Sequence, residues 1–129
     1  MLFVVLVVGI DKGNAKLLGE PAADAPLADV LSHPEVDAAV LETARGGMLR
    51  EGLGFDRCDV AVVTNIGAGD HLGLNYITTL EDLSVLKRVI VLNVDPAGMA
   101  VLNANDPAVV AMARHCPGDV TFFALDPNH

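Results

Sequence analysis

Five short apolar runs recur along the chain, each closed by polar or glycine residues: Leu2–Ile10, Asp37–Leu41, Asp59–Asn65, Met99–Asn103 and Val120–Ala124. They are near-continuous in Val, Ile, Leu and Ala rather than strictly alternating, as in strands covered on both faces. Between them Pro26–Ser32, Ala44–Arg50, Leu80–Val91 and Pro107–Arg114 read as helices. The alternation predicts an α/β fold of three layers, a mostly parallel sheet with helices on both faces. Thr79 is placed to cap the third helix, and Asp106-Pro107 to open the fourth. Pro96 and Gly98 punctuate the return to the strand at Met99. Leu83, Leu86 and Ile90 mark the buried stripe of the third helix, and Lys87 reads as a solvated residue at its edge. With neither a repeat nor a low-complexity linker, residues 1–129 read as one domain.

Composition narrows the class. The chain has 129 residues, 52% of them hydrophobic, with only four Phe, one Tyr and no Trp, so the core must be aliphatic. That abundance of apolar residues excludes disorder. Eight Lys and Arg against 17 Asp and Glu, a formal charge of −9, give no basic footprint for nucleic acid. The longest apolar stretch, Met1 to Ile10, is far short of the roughly 20 residues needed to cross a bilayer. It also lacks the basic lead of a signal peptide. Two cysteines, Cys58 and Cys116, make neither a disulfide framework nor a metal knuckle, which points to a reducing cytoplasm.

In open parallel sheets, ligands bind beyond the carboxyl ends of the strands, so the residues closing each run are the first candidates. Asp37–Leu41 leads into Glu42-Thr43-Ala44-Arg45-Gly46-Gly47. Glu42 suits either a helix first turn, where the macrodipole favours an acid, or a hard cation such as magnesium. Arg45 beside two glycines either holds an anion or is simply solvated. Asp59–Asn65 leads into Gly67-Ala68-Gly69-Asp70-His71-Leu72-Gly73, a loop whose glycines allow close approach to a ligand. His71 there is a surface residue or a metal ligand. Asn103, Asn105 and Asp106 close the next run and are by default turn and cap residues. Asp11–Gly19 reads as a hairpin turn leading to a short strand at Ala15–Leu18. The alternative, a degenerate phosphate loop, lacks the G-x-x-x-x-G-K-[ST] spacing. No G-x-G-x-x-G follows a strand, which argues against a dinucleotide site.

Taken together, the string from Val36 to Val60, with Leu41-Glu42-Thr43-Ala44-Arg45-Gly46-Gly47 at its centre, resembles the Mur ligase family, in the central domain as it occurs in cyanophycin synthetases. Thr64-Asn65-Ile66, Asp70-His71-Leu72-Gly73, Thr79-Leu80-Glu81-Asp82-Leu83 with Lys87, and Val101-Leu102-Asn103-Ala104-Asn105-Asp106-Pro107 follow in the same order. The resemblance covers roughly residues 25–125, and a long ordered series is far more specific than a lone motif. It implies an ATP-dependent ligase that activates a carboxylate as an acyl phosphate and joins arginine to the aspartate side chain of an aspartate–arginine polymer. By the same resemblance Glu42, His71 and Lys87 are ligands on the magnesium side, Lys87 as a carbamate. Lys87 and Arg45 are implied in catalysis, and Asn65, Asn103 and Asp106 near the nucleotide.

The family's full glycine-rich phosphate loop has no match in its usual place, and its C-terminal lobe has no counterpart. The chain is therefore expected to be a central-domain fragment, inactive alone and prone to homo-oligomerise through an exposed apolar face. A catalytically silent relative acting as a partner-binding module is the alternative expectation.

Overall fold

A computed structural model describes residues 4–9, 34, 38–42, 56–66 and 79–126. Within them lie five strands and two helices, with one 3-10 segment. The strands are β1 (Val4–Gly9), β2 (Ala38–Glu42), β3 (Cys58–Val63), β4 (Val94–Asn103) and β5 (Asp119–Phe123). The helices are α1 (Leu80–Leu92) and α2 (Pro107–Val110), the latter running into a 3-10 turn over Ala111–His115. The strands form one sheet in the order β2-β1-β3-β4-β5. β3, β4 and β5 pair in parallel, whereas β1 pairs antiparallel with both β2 and β3. Four strands thus run one way and β1 alone runs against them, which agrees with the mostly parallel α/β reading. The predicted hairpin at Asp11–Gly19 and the helices over Pro26–Ser32 and Ala44–Arg50 lie outside the described residues.

The β3-α1-β4 and β4-α2-β5 units are consecutive crossovers between parallel neighbours, so their helical segments lie side by side on one face. α1 touches the 3-10 turn, and both α1 and α2 touch β4. The layer between them is aliphatic: Ala61, Val63, Ala100 and Leu102 from the sheet meet Ile90, Val91, Val109 and Met112 from the helices. Alternate residues Ala100 and Leu102 are buried on β4, as a strand's two-residue period requires.

Both predicted caps are present. Thr79 Oγ1 accepts from the Asp82 amide at 3.0 Å, and the Asp82 carboxylate accepts from the Thr79 amide at 3.1 Å, a reciprocal capping box. Asp106 Oδ1 accepts from the amides of Ala108 at 3.0 Å and Val109 at 3.4 Å, with Pro107 at the first helical position. Two boundaries differ from expectation by more than two residues. The predicted helix Pro107–Arg114 tightens into 3-10 winding from Ala111, because Cys116 precedes Pro117 and the chain must leave helical backbone within a few residues.

The strand expected at Met99 begins at Val94. Cys58 pairs with Val94 and Val60 with Met99, so Asp95–Gly98 form an outward excursion within β4. Asp95 Oδ1 accepts from the Ala97 amide at 2.9 Å and closes this excursion. Added Cβ atoms show why glycine is required on both sides of it. On Gly98 a Cβ would collide with the Asp59 carbonyl, and on Gly118 it would collide with the Gly98 carbonyl and lie 2.6 Å from that of Asp95.

The excursion also fixes the amino edge of the sheet. The Cys58 amide donates to the Asn93 carbonyl at 2.9 Å, while the Cys58 thiol donates to the carbonyls of Asn93 and Ile90. Burial, then the neighbouring Asp59, then Cys116 push the Cys58 thiol up to about 11 from an ordinary 9.0. The thiolate is disfavoured in the folded protein, so stability linked to this group is complete below pH 9 and falls as pH rises through about 11. At pH 8 an alkylating reagent should therefore modify Cys116 in the native protein and reach Cys58 only after unfolding. Mass mapping of the modified peptides checks this, and modification of Cys58 in the native protein would contradict it.

Candidate functional site at the carboxyl edge of the sheet

β2, β3 and β4 run in the same direction, so their carboxyl ends share one edge. Register places them there directly: Val4 of β1 pairs with Val63 at the end of β3, and Val5 pairs with Glu42 at the end of β2. Asn103 ends β4. Glu42, Asn65, Asn103 and Asp106 are therefore gathered at one edge, as the strand-end rule predicts.

A hydrogen-bonded clamp shapes this edge. Asp106 uses Oδ1 for the α2 cap and Oδ2 for the Ile66 amide, 2.8 Å away. Asn103 Nδ2 donates to the Thr64 carbonyl at 2.7 Å, and Asn103 Oδ1 accepts from the Asn105 amide at 2.9 Å. Both residues thus hold the segment leaving β3 against the turn leaving β4. Ile66 is buried by this arrangement, while Asn65 between the anchors is exposed and turned to solvent. The default reading of Asn103 and Asp106 as turn and cap residues describes their bonds within the chain. The reach of Asp106 across 40 residues to Ile66 was not visible in the sequence.

Lys87 corrects one expectation. Its bland reading was a solvated lysine at the edge of the α1 stripe, but it is 0% exposed. Lys87, Ile90 and Val91 are spaced i, i+3 and i+4, and all three are fully buried, which puts the lysine within the stripe. The C-terminal end of α1 lies at the amino edge, where Asn93 meets Cys58. The N-terminus of α1 therefore faces the carboxyl edge, and helical Cα–Cβ bonds tilt that way. Lys87 thus sits fully buried on a helix whose N-terminal end faces the edge that carries Glu42 and Asn103.

Arg45 and His71 lie outside the described residues, as does the loop Gly67–Gly73. Among the described residues no three of His, Cys, Asp and Glu converge on a point that could hold a metal ion. None of the helices among them is long and apolar enough to cross a membrane.

Comparison with known proteins gives the family of the chain. The family description "Mur ligase middle domain" matches residues 18–129. The cyanophycin synthetase of Synechocystis sp. is 50% identical over 111 residues, which are 86% of this chain and 13% of that protein. Its counterpart in Crocosphaera subtropica is 50% identical over 100 residues, 78% of this chain and 11% of the relative. The one from Geminocystis herdmanii is 48% identical over 100 residues, with the same shares. The chain therefore spans about one-eighth of the length of these curated relatives.

Proposed function

Because this chain belongs to the Mur ligase middle-domain family, we propose that it forms the nucleotide- and metal-handling part of an ATP-dependent amide ligase of the cyanophycin synthetase type. The observation that supports the proposal is that Glu42, Asn65, Asn103 and Asp106 stand at one sheet edge, with Lys87 fully buried on the helix whose N-terminus faces that edge. The chemistry is a two-step acyl transfer. The γ-phosphoryl group of ATP passes to an aspartate side-chain carboxylate and ADP leaves. The amine of arginine then attacks the acyl carbon, phosphate leaves with the C–O bond electrons, and the nitrogen gives up a proton. Magnesium supplies charge neutralisation on the phosphates.

The donor chemistry fits that cation. Glu42 offers a hard oxygen at the strand end, and His71 in the glycine-rich loop would add a nitrogen ligand, as the family resemblance implies. Lys87 offers no ligand as an ammonium. As a carbamate it presents oxygens and a negative charge, which is the form we assign to it. Arg45, flanked by Gly46 and Gly47, holds the transferring phosphoryl oxygens with its guanidinium fork. Asn65, exposed on the clamped turn, would contact the nucleotide, while Asn103 and Asp106 keep that turn in place. In this reading the domain acts within a longer cytoplasmic enzyme, and the exposed Val85, Val89 and Leu92 along one face of α1 support its homo-oligomerisation.

Titration calorimetry of the full-length protein with ATP tests the reading. Saturable binding should require magnesium, and Glu42→Gln should weaken the magnesium dependence at least tenfold. The absence of saturable binding, or an unchanged magnesium requirement in Glu42→Gln, would overturn it in favour of a catalytically silent binding module.

A further inference from the structure

A second polar cluster lies away from the carboxyl edge, where the last turns of α1 meet the 3-10 turn. Arg88 Nη1 lies 3.4 Å from His115 Nε2, and Arg114 Nε donates to the same nitrogen at 3.1 Å. Two guanidiniums thus converge on a single imidazole lone pair. Each guanidinium carries five donors and a permanent charge, whereas a neutral imidazole nitrogen accepts only one good hydrogen bond. The cluster is short of acceptors. Arg88 is half-buried, and its Nε–H is shut off from water with no partner at all. Unpaired buried donors are rare and call for an explanation.

Charge sharpens the point. The chain carries 17 acidic residues against eight Lys and Arg, so an arginine here meets a carboxylate readily. Arg57 does so, pairing with Asp95 at 3.2 Å. No carboxylate among the described residues pairs with Arg88 or Arg114. Burial, then Arg88, then Arg114 hold the His115 imidazole below its ordinary range, which keeps it neutral and accepting between two cations. Two like charges held together without a counter-ion, one of them on the half-buried Arg88, destabilise the protein that holds them, and a bound anion offsets that effect.

We infer that Arg88, Arg114 and His115 form an anion site of the phosphate class, separate from the carboxyl-edge site. A phosphate dianion matches the two fixed positive charges, which a single carboxylate would only half neutralise. Its oxygens accept from both guanidinium forks, and such charge-assisted contacts are the strong ones. His115 can rotate its N–H onto the same anion once the arginines no longer need its lone pair. The site bridges α1 to the 3-10 turn one residue from Lys87, so its occupancy braces the helix that carries the buried lysine.

The test uses inorganic phosphate as the probe, with the full-length protein and nucleotide absent. At fixed ionic strength, exchanging chloride for phosphate should raise the melting temperature saturably, and the His115 ring resonances should shift with the same midpoint. Arg114→Gln removes an exposed side chain without threatening the fold and should weaken phosphate binding at least tenfold. Arg88→Met should abolish the His115 response. Glu42→Gln should leave both responses intact, which separates this site from a nucleotide site. Equal effects of phosphate and chloride would overturn the inference, as would phosphate binding that survives both arginine substitutions. Loss of magnesium–ATP binding with the His115 response retained would overturn the proposed function and leave this site standing.

Discussion

Asp106→Ala is expected to lower stability by about 2–4 kcal/mol, with no bulky side chain removed and no cavity made. The size comes from two separate losses. Removing the cap of α2 costs roughly 1 kcal/mol. Leaving the Ile66 amide without its acceptor costs a further 1–3 kcal/mol or so, because that residue is buried. Thermal unfolding followed by circular dichroism should show a melting temperature lower by roughly 10 °C, given how a domain of this size converts free energy to temperature. Asp106→Asn separates the terms. Its amide oxygen can keep the cap, but its NH₂ then faces the Ile66 N–H, so only the cap fraction is recovered. An Asp106→Asn protein as stable as the parent would show that the 2.8 Å contact to Ile66 contributes nothing.

Lys87→Met should separate stability from turnover. A buried charged side chain replaced by an apolar one of similar length is often neutral or stabilising, so the melting temperature should hold or rise. Ligase turnover in the full-length enzyme should nevertheless fall by at least about a hundredfold, the scale of losing one preorganised electrostatic group at a phosphoryl-transfer site. A purely structural lysine predicts the reverse, a lower melting temperature with turnover preserved. Lys87→Ala adds a chemical check. It leaves space where a short carboxylic acid can place the oxygens that a carbamate would have supplied. Turnover restored by added carboxylate, and not by an amine of the same size, would support the carbamate assignment, and restoration by the amine would refute it.

The apolar runs located the sheet closely. Leu2–Ile10 contains β1, Asp37–Leu41 overlaps β2 in all but its end, and Val120–Ala124 is offset from β5 by one residue. Long Val and Ile runs bounded by polar residues leave little room for another reading. The direction of β1 was not legible, because VVLVVG is equally apolar read either way and only pairing partners set its sense. The start of β4 was hidden for a different reason. Pro96 and Gly98 argue locally against a strand, but Val94 pairs with Cys58 and the punctuation becomes an excursion.

At the candidate site, Glu42, Asn65, Asn103 and Asp106 were legible because strand ends are where α/β sheets present polar groups. The solvated reading of Lys87 fails because it rests on the ordinary habit of a lone lysine among leucines, which keeps its head group in water, whereas this one is fully buried. The Arg88–His115 contact joins elements 27 residues apart, and no local pattern encodes it.

The reversed strand has a consequence for how the chain is made. β1 lies between β2 and β3, yet both of these come later in the sequence, starting at Ala38 and Cys58. On a ribosome adding about 5–20 residues per second, VVLVVG waits on the order of seconds before Val63 emerges to complete its second edge. Both edges of this uncharged, proline-free segment of high β-propensity are open until Glu42 emerges, and one stays open until Val63 does. Such a segment is the kind through which nascent chains associate. Asp11 and Lys12, immediately beyond the run, are then its nearest gatekeepers against such pairing.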